Sequence, residues 1–141
     1  MKKNSRISEV NRVPLCEAVI DGDLDRFKLL VDAGADINEK DYNGITALWY
    51  ATQNGEYEMA RILIDKGADI EIRNAYGNTP LSNAVYYYRR NEHGGDMIKL
   101  LIDAGADINA ENDYGVSPLS LARCIAGFPY LDILAFDSKS T

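Results

Sequence analysis

The chain has 141 residues, 46% hydrophobic and 26% charged, which suits one compact, soluble, folded domain and not a disordered segment. Its net charge of −7 argues against general nucleic-acid binding, which needs a basic face, and favours the approach of basic partners. No run approaches ~18 consecutive apolar residues, and no apolar stretch follows the basic start, so neither a membrane span nor a secretory signal is expected.

In chain order, a first helix opens at Val13-Pro14-Leu15-Cys16-Glu17-Ala18, and a second carries Phe27, Leu29 and Leu30 as its apolar residues. Gly34-Ala35-Asp36-Ile37 ends that unit. The same order returns as Thr46-Ala47-Leu48-Trp49-Tyr50-Ala51, then Met59, Ile62 and Leu63, then Gly67-Ala68-Asp69-Ile70. It returns again as Thr79-Pro80-Leu81-Ser82-Asn83-Ala84, then Ile98, Leu100 and Leu101, then Gly105-Ala106-Asp107-Ile108. A fourth opening reads Ser117-Pro118-Leu119-Ser120-Leu121-Ala122; Phe128-Pro129 then opens a helix bearing Tyr130, Leu131, Ile133, Leu134 and Phe136. The opening phrase steps by 33, 33 and 38 residues, which places a five-residue insertion in the third unit. Such a period means stacked repeats, an all-α repeat solenoid, and stacked repeats offer a surface more readily than a catalytic pocket.

Each phrase has a local physical reason. Thr46, Thr79 and Ser117 are N-cap residues whose hydroxyls accept from first-turn amides. Pro80 and Pro118 occupy the first helical position, where a missing N–H costs nothing. Leu48 and Ala51, three apart, share one helical face. Gly55 breaks the first helix of its unit, and Gly34, Gly67 and Gly105 stop the second helices. Asp36, Asp69 and Asp107 read as turn-bonding residues between units. Asp41-Tyr42-Asn43-Gly44, Asn74-Ala75-Tyr76-Gly77 and Asn112-Asp113-Tyr114-Gly115 suit a tight hairpin or loop tip.

The pattern resembles the ankyrin repeat, with its Thr-Pro-Leu-His-x-Ala phrase and its period near ~33 residues. The resemblance implies one small stand-alone domain over 1–141, each unit a β-hairpin or turn followed by two antiparallel helices. The units fall at about 8–40, 41–73, 74–111 and 112–136, with 137–141 as a tail. Cys16, Trp49, Ser82 and Ser120 replace the signature histidine, so the local order that its imidazole supports is built differently here. Val13 and Asn11 depart from the repeat, marking an N-terminal cap, and the fourth unit lacks a Gly-Ala-Asp, marking a C-terminal one.

The insertion reads Tyr86-Tyr87-Tyr88-Arg89-Arg90-Asn91-Glu92-His93-Gly94-Gly95. It is expected to lengthen the first helix by about one turn and then form a loop ending at the glycine pair. Three adjacent tyrosines and two arginines point several ways on a helix, so some must face outward, and both residue types are enriched where proteins bind. The resemblance further implies that tip positions and first-helix ends line a concave groove. By register these are Tyr42, Asn43, Ile45, Gln53 and Asn54, then Ala75, Tyr76, Asn78, Tyr86 and Tyr87, then Asp113, Tyr114 and Val116. Trp49 and Tyr50 stand beside them. Tip tyrosines could equally stack on one another between units.

The expected contact set is therefore Tyr42, Asn43, Trp49, Tyr50, Gln53, Asn54, Tyr76, Asn78, Tyr86, Tyr87, Tyr88, Arg89, Arg90 and Tyr114. His93, the only histidine, is expected in a solvated loop and not on a metal. Cys16 and Cys124 read as buried structural thiols, and units stacked ~10 Å apart would hold them on the order of 30 Å from each other. No catalytic set, cofactor motif or metal-ligand spacing is apparent. The expectation is a non-catalytic, cytoplasmic module, monomeric when free, that binds another protein and neither nucleic acid nor membrane. The resemblance extends to some bacterial immunity proteins, in which an acidic inhibitor occupies a basic toxin. The alternatives are a scaffold or regulatory subunit and, more distantly, an enzyme holding an anionic substrate at the Tyr-Arg cluster.

Overall fold

The computed structural model describes residues 13–125 and 127–129. Seven α-helices follow one another there: α1 (Pro14–Ile20), α2 (Leu24–Asp32), α3 (Ala47–Asn54), α4 (Tyr57–Asp65), α5 (Pro80–Tyr87), α6 (Gly94–Asp103) and α7 (Pro118–Cys124). A single 3₁₀ turn, Tyr88–Arg90, lies between α5 and α6. The first helices of successive units form one row, α1 on α3, α3 on α5 and α5 on α7, and in the first three units the second helix backs its own first.

The caps fall where the sequence puts them. The Thr46, Thr79 and Ser117 hydroxyls accept from the amides of Trp49, Ser82 and Ser120, and Pro80 and Pro118 follow directly. Ser120 Oγ also accepts from the Ser117 amide, so this cap is reciprocal. Val13 makes no side-chain cap and is instead buried. Asn11, the second helix of the fourth unit and the tail at 137–141 lie outside the described residues.

One continuous apolar cluster runs through the stack. It joins Leu15 and Val19, Phe27, Leu48 and Ala51, Met59 and Leu63, Leu81 and Val85, Met97, Ile98 and Leu101, and Leu119 and Ala122. Leu29 does not join it and is 71% exposed. It stands two positions after buried Phe27, and residues two apart on a helix face different ways.

Of the two forms expected, a hairpin or a turn, the tips take the turn, and no strand occurs among the described residues. A side chain closes each tip. Asp41 Oδ1 accepts from the amides of Asn43 (2.9 Å) and Ile45 (3.0 Å). Asn74 Oδ1 does the same for Tyr76 (2.9 Å) and Asn78 (3.0 Å), and Asn112 Oδ1 for Tyr114 (2.8 Å) and Val116 (2.9 Å). An Asx side chain satisfies amides that a ladder would otherwise need. Asp36, Asp69 and Asp107 serve the loops before the tips, each accepting from the amide two residues on.

The insertion differs from expectation. α5 has eight residues, as does α3, and the extra turn is the 3₁₀ segment. The loop, residues 91–93, ends at the glycine pair, which opens α6. Gly94 is buried against the Tyr88 backbone, where a Cβ would come within 2.2 Å of the Tyr88 carbonyl oxygen, so only glycine lets the chain return this tightly. Asn91 pins the insertion to the preceding unit, its Nδ2 donating to the carbonyls of Gln53 and Tyr87, both at 3.3 Å.

Candidate functional site

The row of first helices and the tips of the third and fourth units line a half-open cavity of about 510 Å³. α3 contributes Trp49 and Gln53, and the tip of the third unit contributes Asn74, Tyr76 and Asn78. α5 contributes Ser82, Asn83, Tyr86 and Tyr87, and the fourth unit Asn112, Val116 and Leu121. Every one of these side chains is uncharged.

Hydrogen bonds across units hold the walls. Asn83 Nδ2 donates to Thr52 Oγ1 (2.9 Å) and to the Trp49 carbonyl (3.3 Å), and Thr52 Oγ1 donates to that carbonyl at 2.7 Å. α5 is thereby fixed to the end of α3 behind the cavity. At the tips, Asn112 Nδ2 donates to Asn78 Oδ1 (2.8 Å) and the Asp113 amide to the Tyr76 carbonyl (3.0 Å). Arg73 clamps the same two units, donating to the carbonyls of Gly77 (2.8 Å) and Glu111 (2.6 Å). Nearby, Glu71 Oε2 accepts from the Asp107 amide at 2.7 Å. Burial holds the Glu71 carboxyl above the usual range despite this bond.

A family model for ankyrin repeats in three copies matches residues 15–112, well over half of the chain. The chain belongs to the ankyrin-repeat family. No curated protein matches it. Ankyrin repeats are in general protein–protein interaction modules, and members of the family are typically non-catalytic. The fourth unit, with α7, lies beyond the matched range but carries the same capped opening.

The substituted signature positions of these ankyrin repeats are wired individually. Cys16 Sγ donates to the Ile45 carbonyl at 3.8 Å, linking the first unit to the second tip. Burial, with Asp41, Glu39 and Glu17 nearby, pushes the Cys16 thiol up to about 12. Ser120 completes the cap of α7, while Trp49 and Ser82 line the cavity. Both described cysteines are free; Cys16 is buried as expected, but Cys124 is exposed at the last residue of α7, which corrects its reading as a buried thiol.

Of the residues selected from sequence, Trp49, Gln53, Tyr76, Asn78, Tyr86 and Tyr87 come together on the cavity. Tyr42, Asn43 and Tyr114 stand exposed on tips outside it, and Asn54 is exposed at the end of α3. No ring contact joins the tip tyrosines among the described residues. Tyr50 is half-buried and donates to Asp41 Oδ2, tying α3 to its own tip. Burial first and this hydrogen bond second raise its hydroxyl well above the usual tyrosine range.

The three consecutive tyrosines divide. Tyr86 and Tyr87 meet edge-to-face at 4.9 Å, and Arg90 lies over the Tyr87 ring at 5.6 Å. Tyr88 turns to the far side, edge-on to buried Phe128 at 4.7 Å, with Arg89 over its ring and bonded to its hydroxyl. His93 is exposed, 3.4 Å from Asp96 Oδ2 and tilted against Tyr57.

Sequence reasoning did not select Asn74, Ser82, Asn83, Asn112 or Leu121 as contact residues. Ser82 carried a signal: it stands 33 residues after Trp49 at the signature position, so a small side chain follows a large one in the stack. Asn83 carried none, because its role depends on what faces it across the units.

Proposed function

We propose that this ankyrin domain is a non-catalytic module that grips a partner protein with the face formed by its first helices, its tips and the 86–95 insertion. The observation that carries the reading is the cavity, which gathers four aromatic side chains, Trp49, Tyr76, Tyr86 and Tyr87, around a concave, uncharged lining. Large amphipathic rings provide contact area at modest entropy cost, and such residues dominate binding energy when they lie centrally. Arg90, held over Tyr87, extends the surface beyond the rim, whereas Arg89 lies with Tyr88 on the far side.

Affinity capture with the purified domain, followed by identification of the retained protein, supplies the partner. Tyr87→Ala and Tyr76→Ala then weaken binding by about tenfold or more each, the range of a central aromatic anchor. Unchanged affinity in both variants, with the unfolding transition intact, refutes the groove assignment.

A narrower reading is that the domain neutralises a basic toxin by occupying it, in the cytoplasm, as an immunity protein does. The net charge of −7 favours it, since an acidic inhibitor is steered to a basic cleft. A toxin domain encoded beside this gene supports that role; an unrelated neighbourhood, with capture of a non-toxin partner, counts against it.

A further inference from the structure

We propose that the cavity seats an uncharged amide of the partner, either a main-chain peptide group or an Asn or Gln side chain, on Trp49, Ser82 and Asn83. The proposal rests on the groove reading above and specifies the chemistry that the groove selects.

Three polar side chains on the cavity are more than nine-tenths buried: Ser82 at 5% exposure, Trp49 at 6% and Asn83 at 7%. Asn83 spends its Nδ2 on α3, but its Oδ1, the Ser82 hydroxyl and the Trp49 indole N–H have no hydrogen-bond partner among the described residues. None of these atoms is sealed off from solvent either. Water can therefore meet them in the free domain, but a guest that fills the cavity displaces that water and must supply the bonds itself, because a polar group buried without a partner costs about 1–3 kcal/mol. The guest must accept from the indole, donate to the carboxamide oxygen, and do either with the hydroxyl.

An amide carries a donor and an acceptor together and has no charge. A cation or anion would lose its hydration with no counter-charge on the lining, and a hydrocarbon would leave all three groups unmet. The volume of about 510 Å³ admits a short stretch of chain and its side chains. The cavity originates in the sequence: at the signature position a tryptophan in the second unit is followed by a serine in the third, and the small side chain leaves the space beside the large one. The acidic surplus of the chain thus governs approach, while the cavity selects a neutral group.

Trp49 is the only tryptophan, so its emission reports occupancy directly. A displayed library of random dodecapeptides is selected on the wild-type domain. The binders that shift Trp49 emission are expected to share an uncharged stretch, and Ser82→Leu, which fills the space, weakens them by at least about tenfold while the circular-dichroism unfolding transition is retained. Ser82→Ala removes only the hydroxyl, weakens them several-fold, and carries the test should Ser82→Leu fail to fold. A charged residue within the shared stretch, itself required for the emission shift, overturns the proposal. So do binders that are silent at Trp49 and indifferent to both variants, and these leave the groove reading standing. A library that yields no binder overturns both.

Discussion

Replacing Gly77 and Gly67 by alanine separates what a repeat needs locally from what the stack demands. Both glycines have left-handed backbone, with φ of 80° and 90°. An alanine there costs ~1–2 kcal/mol in backbone strain alone. At Gly67 nothing lies within 4 Å of the added Cβ, so strain is the whole cost. At Gly77 the Cβ would come within 2.6 Å of Asp113 Oδ1 and 2.9 Å of the Asp113 amide nitrogen. The second of these is backbone and cannot swing away, so the fourth tip must shift and the Asp113–Tyr76 hydrogen bond is lost. That bond adds ~0.5–1.5 kcal/mol, which brings Gly77→Ala to roughly 1.5–3.5 kcal/mol. Urea unfolding followed through Trp49 should show the larger drop in midpoint for Gly77→Ala, with the slope unchanged. Equal destabilisation of the two variants, or a larger effect at Gly67, would refute the argument that neighbouring tips are locked backbone to backbone.

Two further predictions concern titrating groups. With Cys16 buried and its thiol pushed up to about 12, alkylation of the native protein at pH 8 should label Cys124 rapidly and spare Cys16, and denaturant should expose the second thiol; prompt labelling of both in the native state contradicts the burial. Glu71 has a folded-state value raised by burial, so its ionisation weakens the fold as pH rises through that value. Glu71→Gln keeps an acceptor for the Asp107 amide without the charge, so its stability relative to wild type should be greater at pH 7 than at pH 4; a pH-independent difference would show that desolvation is not the dominant cause.

Most of the helical framework was legible because its signals are local. A hydroxyl at Thr46, Thr79 or Ser117 caps the helix that begins beside it, and Gly55, Gly67 and Gly105 stop helices through their own φ. Repetition in one register then identified the stack. The candidate site was legible only where a side chain's direction follows from register, as for Trp49, Gln53, Tyr76 and Tyr87. Tyr50 and Tyr88 were selected beside those positions, yet Asp41 holds one and Phe128 the other away from the cavity.

The period, the caps, the glycine stops and the excess of carboxylates were set by the sequence alone, because each acts within a few residues or as a sum over the chain. Tertiary structure decided the tips and the insertion: Asx closure in place of paired strands, a 3₁₀ turn in place of a longer helix, and Asn91 fastened to the end of α3. It also decided the cavity, whose polar floor exists only because Trp49, Ser82 and Asn83 come together from different units. Contacts between residues some 30 positions apart depend on how units stack, and no local propensity encodes that geometry.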